Sequence, residues 1–101
     1  KQIIMPRKET IGDFDEIFKF AEEKYNIEWN ACCDLFHRGH ILCNDEGHDV
    51  TFELEELELN LKENMEKPSK YFTKQMERGY PIIIDFMKIN NLTEMRVLND
   101  F

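Results

Sequence analysis

The sequence predicts a small α+β domain that is mostly helical and contains a short β-hairpin. The chain has 101 residues, of which 42% are hydrophobic and 34% charged, which is enough for one modest core in a single domain, residues 1–101. Apolar residues recur with helical periodicity over much of the chain. Two short β-prone runs also flank a turn that ends in glycine, a pattern typical of a hairpin.

The N-terminal part predicts a short strand followed by an amphipathic helix. The strand covers residues 2–5 and ends at Pro6. The helix covers about residues 13–25, because apolar side chains recur at i, i+3, i+4, i+7 and i+11: Phe14, Ile17, Phe18, Ala21 and Tyr25. Asn26 is suited to end this helix.

Residues 27–38 fit two structures. Their alternating apolar residues are compatible with a strand, whereas Asn30 could cap a short helix that ends at Gly39. Asp34 and the adjacent pair of cysteines before it are not typical of strands, and this favours the helix.

The middle of the chain predicts the hairpin and a second long helix. Residues 41–43 and 50–54 are the two β-prone runs, and the turn 44–47 lies between them. A helix from about residue 55 to the residue before Pro68 follows from apolar positions at i, i+3, i+7 and i+11: Leu54, Leu57, Leu61 and Met65.

The C-terminal part predicts two helices separated by a glycine. Ser69 is suited to cap a helix that ends at Gly79. Pro81 suits the first position of a further helix through Asn90. Residues 95–98 fit either a strand or a helical turn.

All three cysteines and all three histidines lie within residues 32–48. Zinc prefers four such ligands, usually as two close pairs, and the candidate pairs here are Cys33 with His37 and His40 with Cys43. Only two residues separate the pairs, whereas zinc sites usually have a longer loop between them. We therefore favour packing of the cysteines in the core and expect no cofactor, with a small zinc-binding domain as the alternative.

No catalytic pattern accompanies this cluster. A thiol nucleophile needs a positioned base and a site for an oxyanion, and no glycine-rich loop supplies such a site beside Cys33 and His37. The four glycines are scattered, so the sequence contains no phosphate-binding loop. We therefore expect a protein that is not an enzyme.

The net charge of −8 is concentrated in one segment. Between Asp45 and Glu66 there are nine acidic residues and one basic residue, so the remainder of the chain is neutral. This field disfavours direct binding to nucleic acid or anionic lipid and favours a partner protein with a basic surface, such as one that itself binds nucleic acid. The candidate partner-binding residues are Asp45, Glu46, Asp49, Glu53, Glu55, Glu56 and Glu58, with Trp29 and Tyr80 as aromatic anchors. The alternative is a solvated helix face that only aids solubility.

A smaller basic pattern follows the acidic segment. Its members recur at i, i+3, i+7 and i+11 on the helix predicted after Ser69: Lys67, Lys70, Lys74 and Arg78. We expect this stripe to pair with the neighbouring acidic helix, although exposed pairs of this kind stabilise a fold little.

The cellular location is predicted from the hydrophobic segments and the cysteines of the sequence. No apolar stretch is long enough to span a membrane, and no stretch has the pattern of an export signal. An odd number of cysteines, two of them adjacent, indicates free thiols, so we expect a cytoplasmic protein. The localised acidity and the Lys-, Asn-, Ile- and Glu-rich composition resemble short host-takeover proteins of bacterial viruses, a resemblance of composition alone. The sequence leaves the oligomeric state open.

Overall fold

The structure is a computed structural model that describes residues 7–11, 15–38, 41 and 50–97. In this part of the chain the protein is α+β and mostly helical, as predicted. Four helices are labelled α1 to α4, and a π-helix directly follows α2. The elements in chain order are β1 (Arg7–Ile11), α1 (Asp15–Tyr25), α2 (Trp29–Cys32), the π-helix (Cys33–Arg38), β2 (Val50–Glu53), α3 (Leu54–Glu66), α4 (Lys74–Ile89) and β3 (Leu92–Val97).

The three strands form one sheet in the order β1-β3-β2. The central strand β3 runs parallel to β1, from Arg7 opposite Leu92 to Ile11 opposite Val97, with a register shift after Arg7. It runs antiparallel to β2, with Val50 opposite Val97. The C-terminal segment is therefore a strand, and it begins earlier than the predicted 95–98.

The strand predictions near the N-terminus and in the hairpin have different outcomes. The strand predicted over residues 2–5 lies outside the described residues, and β1 begins after it. The second run of the predicted hairpin forms β2, although Leu54 already belongs to α3. Of the first run only Ile41 is described, and the turn 44–47 is not. Within the described part, the antiparallel partner of β2 is β3.

Helix α1 follows the prediction closely. Ile17, Phe18 and Ala21 are buried, as their spacing requires. The helix ends at Asn26, which has a positive φ of 54° and donates its backbone N–H to the Glu22 carbonyl at 3.0 Å. Asparagine tolerates this left-handed conformation better than most residues, which explains the position of the helix end.

The ambiguous segment after α1 is helical, as favoured. The prediction that Asn30 caps this helix was wrong, because Asn30 lies inside α2. The residue at the N-cap position is Glu28, and its side chain makes no capping hydrogen bond. From Cys33 the helix widens into a π-helix, and the Ile41 backbone N–H continues this pattern by bonding to the Phe36 carbonyl at 3.0 Å. The predicted end at Gly39 lies outside the described residues.

The two helices predicted at the C-terminal end are one helix, α4. Thr73, not Ser69, is the N-cap, and its side-chain oxygen accepts a hydrogen bond from the Met76 backbone N–H at 3.1 Å. Ser69 lies in the preceding turn, where its backbone N–H donates to the Asn64 side-chain oxygen at 3.0 Å.

Gly79 does not end the helix but permits a close contact. A Cβ atom at this position would lie 2.5 Å from the Cδ1 atom of Ile41 and 3.3 Å from the Cε1 atom of Phe36. The π-helix can therefore approach α4 here. Pro81 also lies inside α4, exposed to solvent, at a usual cost of about 3 kcal/mol for a helix interior. Burial of Ile82 and Ile83 immediately after it compensates for this cost.

Helix α4 organises the core. It contacts α1, the π-helix, α3 and β3, whereas α1 and α3 make no contact with each other among the described residues. Phe86 packs edge-on against Phe20 of α1, with ring centroids 5.5 Å apart. Within the described ranges, no helix is long and apolar enough to cross a membrane.

Candidate protein-binding surface

The outer side of α3 combines carboxylates with an exposed leucine. Leu57 is 6% exposed and packs in the core, but Leu59, two residues later, is 56% exposed. On a helix, residues three and four positions away lie beside a given side chain, so Leu59 has Glu55 and Glu56 on one side and Glu63 with Lys62 on the other. We call this set the acidic surface: Glu55, Glu56, Leu59, Glu63 and Glu66, all exposed.

Glu58 has a different role from the residues of the acidic surface. Its carboxylate lies 3.5 Å from the Lys88 ammonium of α4, and the residue is half-buried. This ion pair joins α3 to α4, so Glu58 contributes to the helix packing rather than to the surface that faces away from it.

An open cavity of about 350 Å³ adjoins the acidic surface where β2 passes into α3. Its lining includes Glu53, Glu55 and Glu94, together with Leu54 and Thr93. Glu53 is directly opposite Glu94 across the two strands, so this cavity extends the acidic face of the molecule beyond α3.

The predicted partner-binding residues are therefore only partly brought together. Glu55 and Glu56 lie on the acidic surface, and Glu53 lies at the adjoining cavity. Asp45, Glu46 and Asp49 lie outside the described residues.

The two predicted aromatic anchors lie elsewhere. Trp29 is 48% exposed, but its ring packs edge-on against Phe18 at a centroid distance of 4.8 Å, and α2 makes no contact with α3 in the described part of the chain. Tyr80 is half-buried, 6.2 Å from the Phe72 ring, and burial raises the pKa of its hydroxyl. The apolar residue at the acidic surface is instead Leu59, whose one signal in the sequence is that it falls outside the i, i+3, i+7 pattern of α3.

The cysteine and histidine cluster is only partly described. Cys32 is buried and its thiol is 3.7 Å from the Ile27 carbonyl, and burial raises the pKa of this thiol. Cys33 is half-buried, and both cysteines are free. His40 and Cys43 lie outside the described residues, as does the side chain of His37. Among the residues that are described, no three His, Cys, Asp or Glu side chains are grouped to hold a metal ion.

The basic stripe does not lie on one helix. Lys67 follows α3, Lys70 lies in the turn, and Lys74 and Arg78 belong to α4. All four are exposed. Within the described ranges no ion pair joins any of them to a carboxylate, so the predicted pairing with the acidic helix is not found there.

The turn between α3 and α4 is instead a basic surface with an aromatic side chain. Tyr71 is 74% exposed, and the Lys70 ammonium lies 5.0 Å from its ring centroid. We call Lys67, Lys70, Tyr71 and Lys74 the basic turn.

Comparisons of this chain with protein-family models, with curated proteins and with solved structures find no match. The function is therefore inferred from the chemistry of these surfaces.

Proposed function

We propose that the protein is a non-enzymatic binding module that docks its acidic surface on a basic surface of another protein, and so acts as an adaptor or inhibitor. The observation that supports this most is the combination, on one side of α3, of the exposed Leu59 with the carboxylates around it. A binding interface commonly has such an apolar centre and a polar rim.

The two parts of the surface contribute differently. Removing the exposed half of Leu59 from water is worth about 1 kcal/mol, and each exposed ion pair at the rim adds about 0.2–1 kcal/mol. The carboxylates mainly steer a basic partner toward the surface and raise its association rate, an effect that falls with salt.

The charge also selects the class of partner. Successive turns of a helix present carboxylates about 5.4 Å apart along the axis, so the acidic surface forms a row of negative charges, as the phosphates of a nucleic-acid strand do. A protein groove that binds nucleic acid is thus a suitable partner, whereas nucleic acid itself is repelled. Free thiols at Cys32 and Cys33 fit a reducing compartment, and we place the protein in the cytoplasm.

The test is affinity capture from a lysate of the source cells, with two matched variants. The acidic-surface variant contains Glu55→Gln, Glu56→Gln and Glu63→Gln. The control variant contains Glu22→Gln, Glu23→Gln and Glu28→Gln, which removes the same charge from exposed residues of α1 and the loop after it.

We expect the acidic-surface variant to lose the captured protein by about tenfold or more and the control to retain it. A separate Leu59→Ser variant should increase the dissociation rate of that protein without changing the salt dependence of its association. Equal capture by all variants would contradict the proposal, and an equal loss by the control would show that net charge, rather than this surface, is responsible.

A further inference from the structure

We propose that the protein also forms a twofold-symmetric dimer, in which the acidic surface of each copy docks on the basic turn of the other. This inference rests on the proposed function, because it uses the same acidic surface and identifies a second copy of the chain as one of its occupants.

The basic turn has the properties of the required partner surface. Its three lysines are exposed and, among the described residues, are in no ion pair with a carboxylate. A cavity of about 140 Å³ lies beside it, between the end of α3 and the start of α4. Three of its lining residues are apolar, Met65, Pro68 and Phe72, and the others are Asn64, Thr73, Lys74 and Glu77. The apolar part can receive an apolar side chain of another molecule, and the lysines of the basic turn suit acidic groups beside that side chain.

The chain itself presents such a group. On the acidic surface, Leu59 is the exposed apolar side chain, and Glu55, Glu56 and Glu63 are the carboxylates near it. The same molecule therefore contains an apolar group with an acidic rim and a partly apolar cavity beside exposed lysines, which is the complementarity that an interface between two copies needs.

The acidic surface and the basic turn adjoin each other at the end of α3. Met65, 57% exposed, lies between them in the chain, and Glu63 and Lys67 lie two residues either side of it. Two copies related by a twofold axis near this point can therefore bring the acidic surface of each copy to the basic turn of the other.

A twofold arrangement forms two junctions at once, each between the acidic surface of one copy and the basic turn of the other. In such an interface the same patch is used on both copies, so each acidic surface and each basic turn is occupied and the assembly stops at two. The net charge of −8 on each copy opposes association at long range, but charges further apart than about 10 Å are largely screened at 0.1 M salt. The contacts at the two junctions are closer than that.

Other occupants of the basic turn fit less well. A nucleic-acid strand that follows Lys67 and Lys70 would also pass Glu63 and Glu66 at the end of α3, and its regularly spaced phosphates would be repelled there. A second copy brings carboxylates to these lysines without a row of phosphates that continues past Glu63 and Glu66.

The decisive test exchanges the charges of the two surfaces. The first variant contains Glu56→Lys and Glu63→Lys, and the second contains Lys67→Glu and Lys74→Glu. Each variant alone has like charges at both junctions, but a mixture of the two has opposite charges at both. A control variant with Glu22→Lys and Glu23→Lys makes the same charge change on α1, away from both surfaces.

We expect sedimentation velocity to show dimers of the wild-type protein and of the control at high micromolar concentration. Each exchanged variant should be a monomer, with circular dichroism unchanged, and their equimolar mixture should form a heterodimer. A monomeric wild-type protein, a mixture that does not pair, or assemblies that grow beyond two would each overturn the twofold dimer.

The second variant also separates this inference from the proposed function, because it retains the acidic surface. If it still captures the foreign basic protein while the wild type is monomeric, the dimer is wrong and the proposed function stands. If the exchanged variants pair as expected but capture is insensitive to the acidic surface, the dimer stands and the proposed function is wrong.

Discussion

Two charged regions of this molecule differ in how their charges are used. At the junction of α1 and α4, Asp85 accepts a hydrogen bond from the Tyr25 hydroxyl and pairs with the Lys24 ammonium, both at 2.6 Å. On the outer side of α3, the carboxylates of the acidic surface are in no ion pair within the described part of the chain. The first set of charges holds two helices together, whereas the second is available to a partner, so the count of charges is less informative than their pairing.

The largest effect on the free energy of unfolding is expected on the inner side of α3, and two leucines compare that side with the outer one. Leu57→Ala should lower the free energy of unfolding by about 3 kcal/mol, because it leaves a cavity in the core. Leu59→Ala should change it by no more than about 0.5 kcal/mol, since most of that side chain already faces water. Urea denaturation of the two variants measures both values. Equal losses would mean that Leu59 is a core residue and would remove it from the acidic surface.

The next largest effect is expected from a substitution in the paired region, which consists of Asp85, Tyr25 and Lys24. Asp85→Asn should lower the free energy of unfolding by about 1 kcal/mol, because it removes a charged acceptor shared by two donors that are partly exposed and therefore partly screened. The matched variant Tyr25→Phe removes one donor only and should cost less. If Asp85→Asn has no effect on denaturation, the paired region does not hold α1 to α4.

The same region should make stability depend on pH in two windows. Hydrogen bonds from Lys24 and Tyr25 lower the pKa of Asp85, so its contribution is present above the ordinary carboxyl range and is lost as the pH falls through the lowered value. Desolvation and the bond to Asp85 raise the pKa of Tyr25 from 10.0 to about 12. Its contribution is therefore present below pH 10 and is lost as the pH rises toward 12.

Thermal denaturation across the pH range, with Asp85→Asn as the reference, isolates these contributions. The difference in midpoint between the wild type and this variant should narrow at both extremes. A difference that stays constant from acid to alkaline pH would show that the pairing contributes nothing that depends on ionisation.

The sequence identifies the elements whose stability is local. The apolar spacing is enough to predict α1 and α3, and Asn26 is enough to predict where α1 ends, because each of these features depends on neighbours within one or two turns. Gly79 and Pro81 misled the prediction of α4. Their local tendency to break a helix is outweighed by packing of the π-helix against Gly79, which involves residues far away in the sequence.

Non-local contacts also explain why the sequence did not predict β1 or the positions of the charged surfaces relative to Trp29. Strand β1 is polar in sequence and gains its partner only through β3, at the other end of the chain. The acidic residues of α3 could be identified from composition, but their separation from Trp29 depends on α4 lying between α1 and α3. The sequence pattern puts the lysines of the basic turn on one helix, but α4 begins only at Lys74, after its N-cap Thr73, so Lys67 and Lys70 lie before it.

The smallest expected effect sharpens the comparison within α3 itself. Glu58 is paired with Lys88, whereas Glu55, Glu56 and Glu63 form part of the unpaired acidic surface, and all four are on the same helix. Glu58→Gln should therefore lower the free energy of unfolding by a few tenths of a kcal/mol, about the value of an exposed ion pair. Glu63→Gln should raise it by about the same amount, because Glu63 lies in the last turn of α3, where the negative end of the helix dipole and the neighbouring Glu66 disfavour a carboxylate. Both changes should vanish in high salt, since screening weakens attraction and repulsion alike.

Chemical denaturation at low and high ionic strength measures the free energy of unfolding of the two variants. Effects of the same sign would show that Glu58 and Glu63 have equivalent surroundings. That result would contradict the division of α3 into a side that packs on α4 and a side that is available to a partner.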